Sequence, residues 1–233
     1  MPAYREAEAL RKFLPMLVSS VKALSESSEI LVADSMLPLD DTKEVCAQYG
    51  VRHIYRMGGN AYGDAVRTGI DNSLGRYVLL MDADGSHNPG DLARLWNMRN
   101  EYDIVIGSRY IKGGSTENPA VLIWMSRILN YIYRFAFRLK ISDVSNSFRL
   151  YKGEQLRSLK LQSSDFEIVE EILIRLTFGS SKATVTEVPV TFEQRKAGKS
   201  KRNLPAFMVK YLGSIMVMRK YRSAELKNGK RRG

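Results

Sequence analysis

Asp82 and Asp84 sit two residues apart in the segment MDADGSHNP (81–89), directly after an apolar run. In extended backbone, residues i and i+2 point the same way, so both carboxylates can face one cation. A hard divalent ion held by few protein carboxylates and several phosphate oxygens is the usual coordination of magnesium. An ion placed there would neutralise a diphosphate and stabilise it as a leaving group. The same letters also fit an Asp-Gly turn followed by a helix cap at Asn88, and two aspartates at this spacing are common. A second group is RKAGKSKR (195–202), with five cations in eight residues. Such a run faces solvent or phosphate, and Gly198 and Ser200 suit a loop that closes over a ligand. A third is GSRY (107–110), where Arg109 can make bidentate contacts to phosphate or carboxylate. Two weaker groups are PAYRE (2–6) and DVSNSFR (143–149).

The elements that must carry these residues are legible as an α/β alternation. Residues 29–33 (EILVA), 51–55 (VRHIY), 77–81 (YVLLM) and 103–106 (DIVI) read as strands. Residues 6–24, 41–49, 60–73 and 91–99 read as helices between them. This rhythm predicts a mostly parallel sheet with helices on both faces. Sites in such sheets lie beyond the carboxyl ends of the strands. That directs attention to Asp34, residues 57–59, residues 82–84 and residues 107–109.

The alternation then stops. Residues 121–139 read as a long helix whose Arg127, Asn130, Arg134 and Arg138 share one face, with the rest mostly aromatic or aliphatic. Such a basic and aromatic surface suits a membrane interface as well as it suits an ordinary buried helix. Residues 165–177 read as an amphipathic helix, and residues 184–192 as one strand with Pro189 at an edge or bulge. Residues 204–218 repeat apolar positions at helical spacing, with Pro205 in the first turn. The expected organisation is a catalytic domain over 1–203, an amphipathic helix over 204–222 and a basic, disordered tail over 223–233.

Composition narrows the classes. The chain has 233 residues with 36 Lys and Arg against 25 Asp and Glu. From Glu193 onward there are 13 basic and 2 acidic residues, so the whole net charge of +11 lies in the last 41 residues and the remainder is neutral. That asymmetry implies an anionic partner at the C-terminal end. One cysteine rules out an internal disulfide framework, and two histidines with one cysteine do not make a zinc site of the usual nitrogen and sulfur ligands. Any metal is therefore expected on oxygen ligands, as Mg2+ or Mn2+. The N-terminus is charged at once, unlike a signal peptide, and no run of about 18 apolar residues exists to span a bilayer. A nucleic-acid binder is a poor fit, because the basic tail carries few interleaved aromatics, Tyr211 and Tyr221 beside Phe207, and the neutral body has no known reading motif.

Taken in order, PAYxE, a strand ending in Asp34, MDADGSHNP, GSRYxxGG, DVSNSFRLY, FEIVEEIL and EVPVTFEQRKAGKSK resemble the inverting family 2 glycosyltransferases of the GT-A (nucleotide-diphospho-sugar transferase) fold. The likeness is to the branch of dolichyl- and polyprenyl-phosphate sugar transferases, typified by dolichol-phosphate mannose synthases, and runs from Pro2 to about Tyr221. It implies roles. Pro2, Ala3, Tyr4 and Glu6 would hold the base and ribose, and Asp34 would contact the nucleotide. Asp82 and Asp84 would take the metal and diphosphate, with Ala83 against the ribose. Ser86 holds the place of a further metal ligand. Arg109 would lie near the donor diphosphate and the acceptor, and Arg195, Ser200 and Lys201 would form a loop gripping phosphates.

The implied reaction is transfer of a sugar from a GDP- or UDP-linked donor, with inversion, to a polyprenyl or dolichyl phosphate. The implied location is cytoplasmic, peripheral on the cytoplasmic face of a membrane. A phosphate acceptor is already anionic and requires no strong base. A hydroxyl acceptor would require one, and Asp143 is the candidate. A same-fold transferase using a soluble glycan or protein, and a donor-binding module without activity, are the rival readings. Homo-oligomers and membrane-protein partners are left open. The sequence departs from the family in three places. It starts at the PAYRE segment, which in the family follows an apolar first strand, so that strand is expected either upstream or shortened. Arg5 stands where the family has asparagine. Residues 35–41 (SMLPLDD) replace an acidic, Ser- and Gly-rich stretch.

Overall fold

The structure is a computed structural model, and it describes residues 1–195, 211 and 213–223. Ser200, Lys201, the start of the helix expected at 204 and most of the basic tail lie outside the described residues.

The chain opens with α1 (Ala7–Leu24), β1 (Leu31–Asp34), α2 (Thr42–Gln48), β2 (Arg52–Tyr55), α3 (Tyr62–Asn72) and β3 (Tyr77–Leu80). After a 3-10 turn at Pro89–Asp91 come α4 (Leu92–Asn97), β4 (Ile104–Ser108), β5 (Ser115–Thr116) and α5 (Ala120–Phe137). Then follow β6 (Arg149–Lys152), α6 (Gly153–Arg157), α7 (Ile168–Phe178), β7 (Val185–Pro189) and β8 (Thr191–Phe192). Residues 213–223 are helical.

β1 and β2 pair in parallel. The larger sheet has the order β3-β6-β4-β7, in which β6 is antiparallel to both neighbours while β4 and β7 are parallel. The expected parallel sheet is thus mixed. β6 is the inserted antiparallel member, and its RLYK sequence, with a charge at each end, gives no strand signal. The single strand expected over 184–192 is two strands. β7 lies on β4 and β8 on β5, and the chain changes partner at Val190, next to the Pro189 that cannot donate to a ladder.

Strand alternation sends successive side chains to two separate cores. Ile104, Ile106 and Tyr151 join α3, α5 and α7 on one face. Val105 and Leu150 join Val32 and α1, α2 and α4 on the other. β4 is buried along its full length, which suits its position between two strands with both faces covered.

α5 confirms the expected helix but not its facing. Asn130 is buried beside Leu129, Tyr133 and Phe137, whereas Arg127, Arg134 and Arg138 are exposed. The outward face also carries Trp124, Ile128, Tyr131 and Phe135, the last 79% exposed. Asn130 turns inward because it has partners there: its Oδ1 accepts from Ser145 N at 3.0 Å. The 213–223 helix packs on α5 through Ile215 and Met218, and the Tyr133 and Ser214 hydroxyls lie 2.7 Å apart.

The α7 core contains one titratable group with a stability consequence. Glu170 is fully buried, and burial pushes its carboxyl up to about 8 despite the nearby Arg149 guanidinium. An acid whose folded pKa exceeds its unfolded value of 4.5 stabilises most at pH below that value. Its contribution falls as the pH rises to about 8 and is constant beyond. Glu170→Gln is expected to raise the melting temperature at pH 8.5 and leave it nearly unchanged at pH 4.5, as read by thermal unfolding at the two pH values.

Candidate active site

The carboxyl ends of the strands gather the chemistry. Asp82 and Asp84 follow β3, and Gly85 takes φ +76°, the left-handed conformation that lets the chain turn back immediately after Asp84. Asp82 Oδ1 accepts from the Tyr62 hydroxyl at 2.8 Å and Oδ2 from the Ser147 hydroxyl at 3.0 Å. Asp84 Oδ1 accepts from Ser86 N at 3.0 Å and Ser86 Oγ at 2.6 Å. Its Oδ2 lies 3.0 Å from Arg195 Nε, and Arg195 also reaches Glu6 at 3.6 Å. Ser86 is fully buried, and its hydroxyl holds the Asp84 rotamer.

His87 braces this turn. Its Nδ1 accepts from Asp82 N at 3.1 Å, which places the ring proton on Nε2, 3.2 Å from Asn146 Oδ1. The ring stacks on Phe148 at 4.8 Å between centroids. Asn146 in turn donates from Nδ2 to Gly107 O at 2.6 Å.

Arg109 follows β4 and is clamped by Asp143. Its Nε donates to Asp143 Oδ2 and its Nη2 to Asp143 Oδ1, both at 2.7 Å, and its backbone N adds a third bond at 2.9 Å. Nη2 also reaches Ser126 at 3.1 Å and Ser145 at 3.0 Å. Burial disfavours both charges. The pairing overrides it, raising the Arg109 pKa and holding the Asp143 carboxyl below the usual range. Glu187 on β7 fixes the loop by accepting from Ser142 N and Asp143 N at 2.7 and 2.9 Å. Both Asp143 oxygens are engaged by the arginine and the residue is fully buried. This geometry does not suit the general base expected at Asp143.

Arg149, also fully buried, spends its guanidinium on backbone carbonyls: Asn146 O at 2.7 Å, Val169 O at 2.9 Å, and Val144 O. The DVSNSFR segment is therefore a polar scaffold. Its members position Arg109, Asp82 and His87.

The N-terminal segment lies along β1. Pro2 bridges Ala33, Ala3 N donates to Ala33 O at 2.9 Å, and Ala3 is buried. Arg56 staples it: Nη2 donates to Ala3 O, Nε to Asp34 O at 2.9 Å, and Nη1 to Asn60 O and Ala61 O at 3.0 Å each. The Tyr4 ring lies 5.7 Å from the Arg56 guanidinium. Arg5 has φ +58°, a region where asparagine is several-fold enriched and a long side chain is strained. Asp34 is buried, with Ser35 N at 2.7 Å and His53 Nε2 at 3.2 Å. Ala83 is also buried.

Of the expected site residues, Asp82, Asp84, Arg109 and Arg195 line one cavity of about 420 Å³. Pro2, Ala3 and Asp34 lie along β1, and Glu6 joins the cavity group through Arg195. Sequence reading missed Tyr62, His87, Arg56 and Glu187. A charge one residue beyond β2 was a usable signal for Arg56. His87 stood inside the aspartate motif.

Residues 1–159 match a family model described as "Glycosyl transferase family 2". The chain is similar to polyprenol monophosphomannose synthase of Mycolicibacterium smegmatis, 32% identical over 212 residues, covering 86% of this chain and 78% of that protein. It is also similar to dolichol-phosphate mannosyltransferase of Pyrococcus furiosus, 33% identical over 209 residues, covering 86% of this chain and 57% of that longer protein. Among solved structures it resembles the UDP complex of glucosyl-3-phosphoglycerate synthase from Mycobacterium tuberculosis. The TM-score is 0.70 at 16% identity, over 94% of this chain and 78% of that one. At that identity the likeness is one of fold, and it is the GT-A fold that the motifs implied. The chain belongs to glycosyl transferase family 2.

Proposed function

We propose that this chain transfers a hexose from a GDP- or UDP-linked donor, with inversion, to a polyprenyl phosphate at a membrane surface. The observation that carries this reading is the composition of the site cavity. One part holds Asp82, Asp84, Arg109 and Arg195; another is built from Leu122, Met125 and Leu129 of α5. A charged donor site thus opens onto an apolar wall, which is what a phosphate on a hydrocarbon chain requires. The relatives named as polyprenol and dolichol mannose transferases support the acceptor class and make mannose the first sugar to test.

The donor set fits a divalent ion. Two carboxylates at one cavity would be the ligands, and the Arg195 guanidinium 3.0 Å from Asp84 supports this by occupying the side on which a cation would sit. Mg2+ or Mn2+ on Asp82 and Asp84 would neutralise the donor diphosphate. The chain's own residues do the positioning. Tyr62 and Ser147 hold Asp82, and Ser86 and Arg195 hold Asp84. The Arg109–Asp143 pair is close to neutral as a unit, so Arg109 acts as an oriented donor rather than as net positive charge. We assign Ser200 and Lys201 to the diphosphate beside Arg195, with Pro2, Ala3, Tyr4, Glu6 and Asp34 to the nucleoside. The acceptor phosphate brings its own negative oxygen, so no residue need remove a proton. A thermal-shift panel of nucleotide sugars tests the donor half. One donor should raise the melting temperature only when Mn2+ is present, and a panel with no responder would count against the reading.

No described helix is long and apolar enough to cross a membrane. The membrane contact we infer is the outward face of α5, where Trp124, Tyr131 and Phe135 alternate with Arg127 and Arg134, joined by exposed Met216, Val217, Arg219 and Lys220. Basic residues near an anionic leaflet contribute about 1 kcal/mol each. Replacing Trp124 and Phe135 together by alanine is expected to weaken binding to anionic vesicles by at least about tenfold, given the roughly 150–250 Å² each ring can bury. Vesicle co-sedimentation checks it, and an unchanged bound fraction would dismiss this face.

A further inference from the structure

Every oxygen of the aspartate pair already has a partner within the protein. Asp82 accepts from the Tyr62 and Ser147 hydroxyls, one on each oxygen, and Asp84 Oδ1 accepts from Ser86. Those partners are neutral. Asp84 Oδ2 differs, because it faces the Arg195 guanidinium, 3.0 Å from Nε. The same guanidinium places Nη1 3.6 Å from Glu6 Oε1. One cation thus sits between two carboxylates, one just ahead of α1 and one just past β3.

The three side chains are not equally placed. Those of Asp84 and Glu6 are nearly buried, so each pays a desolvation cost that a neighbouring positive charge offsets. Arg195 offsets it for both at once. Its own side chain is partly exposed, so water solvates it when it leaves, and an ion pair of this kind is weak enough to exchange. A divalent ion on Asp84 would compete with this guanidinium for the same oxygen, since two positive groups repel there. A nucleoside diphosphate changes that balance. It supplies oxygens to the ion and gives the arginine a second anion, one that it can contact in bidentate fashion.

We propose that Arg195 is an internal counter-cation of the donor site. It neutralises the Glu6–Asp84 pair when no nucleotide is bound, disfavours uptake of a divalent ion alone, and moves to the diphosphate when ion and nucleotide arrive together. Ion and nucleotide then tighten each other's binding by the same factor. The inference rests on the assignment of the metal to Asp84.

The test reads binding alone, with neither sugar nor acceptor present. Free Mn2+ is followed by electron paramagnetic resonance as the full chain is titrated, and thermal unfolding of the same samples confirms that each variant is folded. Arg195→Gln is expected to tighten Mn2+ binding without nucleotide by at least about tenfold, the effect of removing one unit charge beside a divalent ion even at high dielectric. Arg195→Lys keeps the charge and should stay close to wild type. The gain in Mn2+ affinity on adding GDP or UDP, corrected for Mn2+ held by free nucleotide, should be smaller in Arg195→Gln than in wild type. Equal or weaker Mn2+ binding by Arg195→Gln, or an equal gain with Arg195→Lys, would overturn the counter-cation. If Mn2+ is still taken up with nucleotide in that case, and lost with Asp84→Asn, the metal assignment stands without it. A gain that survives when Asp84→Asn is added to Arg195→Gln would overturn the metal assignment and the proposal together.

Discussion

Asp84→Asn is expected to lower the transfer rate by about 10²–10³, the usual loss when a preorganised electrostatic group at a reacting centre is removed. Asparagine keeps the size of the side chain and an oxygen for the Ser86 hydroxyl, so the turn at Gly85 should persist. What it loses is the charge that faces both Arg195 and a divalent ion. The melting temperature should change little, because the Arg195 side chain is 35% exposed and water can solvate it once its partner is gone. Steady-state rates across a Mn2+ titration, beside thermal unfolding of the same samples, separate the two quantities. Undiminished activity in the Asp84→Asn variant would remove Asp84 from the metal site.

The largest effect on stability is expected at Asp143. Removing one partner of a buried, hydrogen-bonded pair leaves the other charge stranded, at a cost of about 3–5 kcal/mol. Asp143→Ala strands Arg109 and also removes the acceptor for the Arg109 backbone N–H. A melting temperature lower by roughly 6–20 °C follows from the size of the chain. The double replacement Arg109→Met with Asp143→Leu should recover much of that loss, since apolar pairs of similar volume often match buried ion pairs. It should still be inactive, which separates the structural role of the pair from the donor role of Arg109. The pH dependence carries the same signature. The folded pKa of Asp143 is depressed below its ordinary value of 3.8. Its contribution is therefore fully present above that value and lost only as the pH falls through the lower folded pKa.

The first three strands and helices were legible because each alternates a short β-branched run with a helical period, and because Asp34, Asp82, Asp84 and Arg109 stand at or just past strand ends. β6 was not legible. Its Arg149 is a charged residue whose partners are backbone carbonyls of the 144–146 loop and of Val169 in α7, which come together only once the chain has folded. The same dependence explains why DVSNSFR carries a weak signal. Asp143, Asn146 and Ser147 act on Arg109, His87 and Asp82, which lie 34, 59 and 65 residues away in sequence. The facing of α5 is misleading in sequence for a related reason. Spacing groups Asn130 with three arginines, but a short amide with partners inside the protein turns inward. The cationic C-terminal end separates into two parts. Arg195 reaches the Asp84 carboxylate, while Arg219 and Lys220 are exposed on the helix packed against α5.

The central claim is that the acceptor is a lipid phosphate. The most direct measurement incubates the chain with Mn2+, radiolabelled GDP-mannose, or its UDP-hexose counterpart, and vesicles containing a polyprenyl phosphate, and then partitions the label between organic and aqueous phases. The predicted result is label in the organic phase that depends on both the polyprenyl phosphate and the metal, and is lost with Asp84→Asn. Label transferred only to a water-soluble glycan or protein, with none in the organic phase, would contradict it.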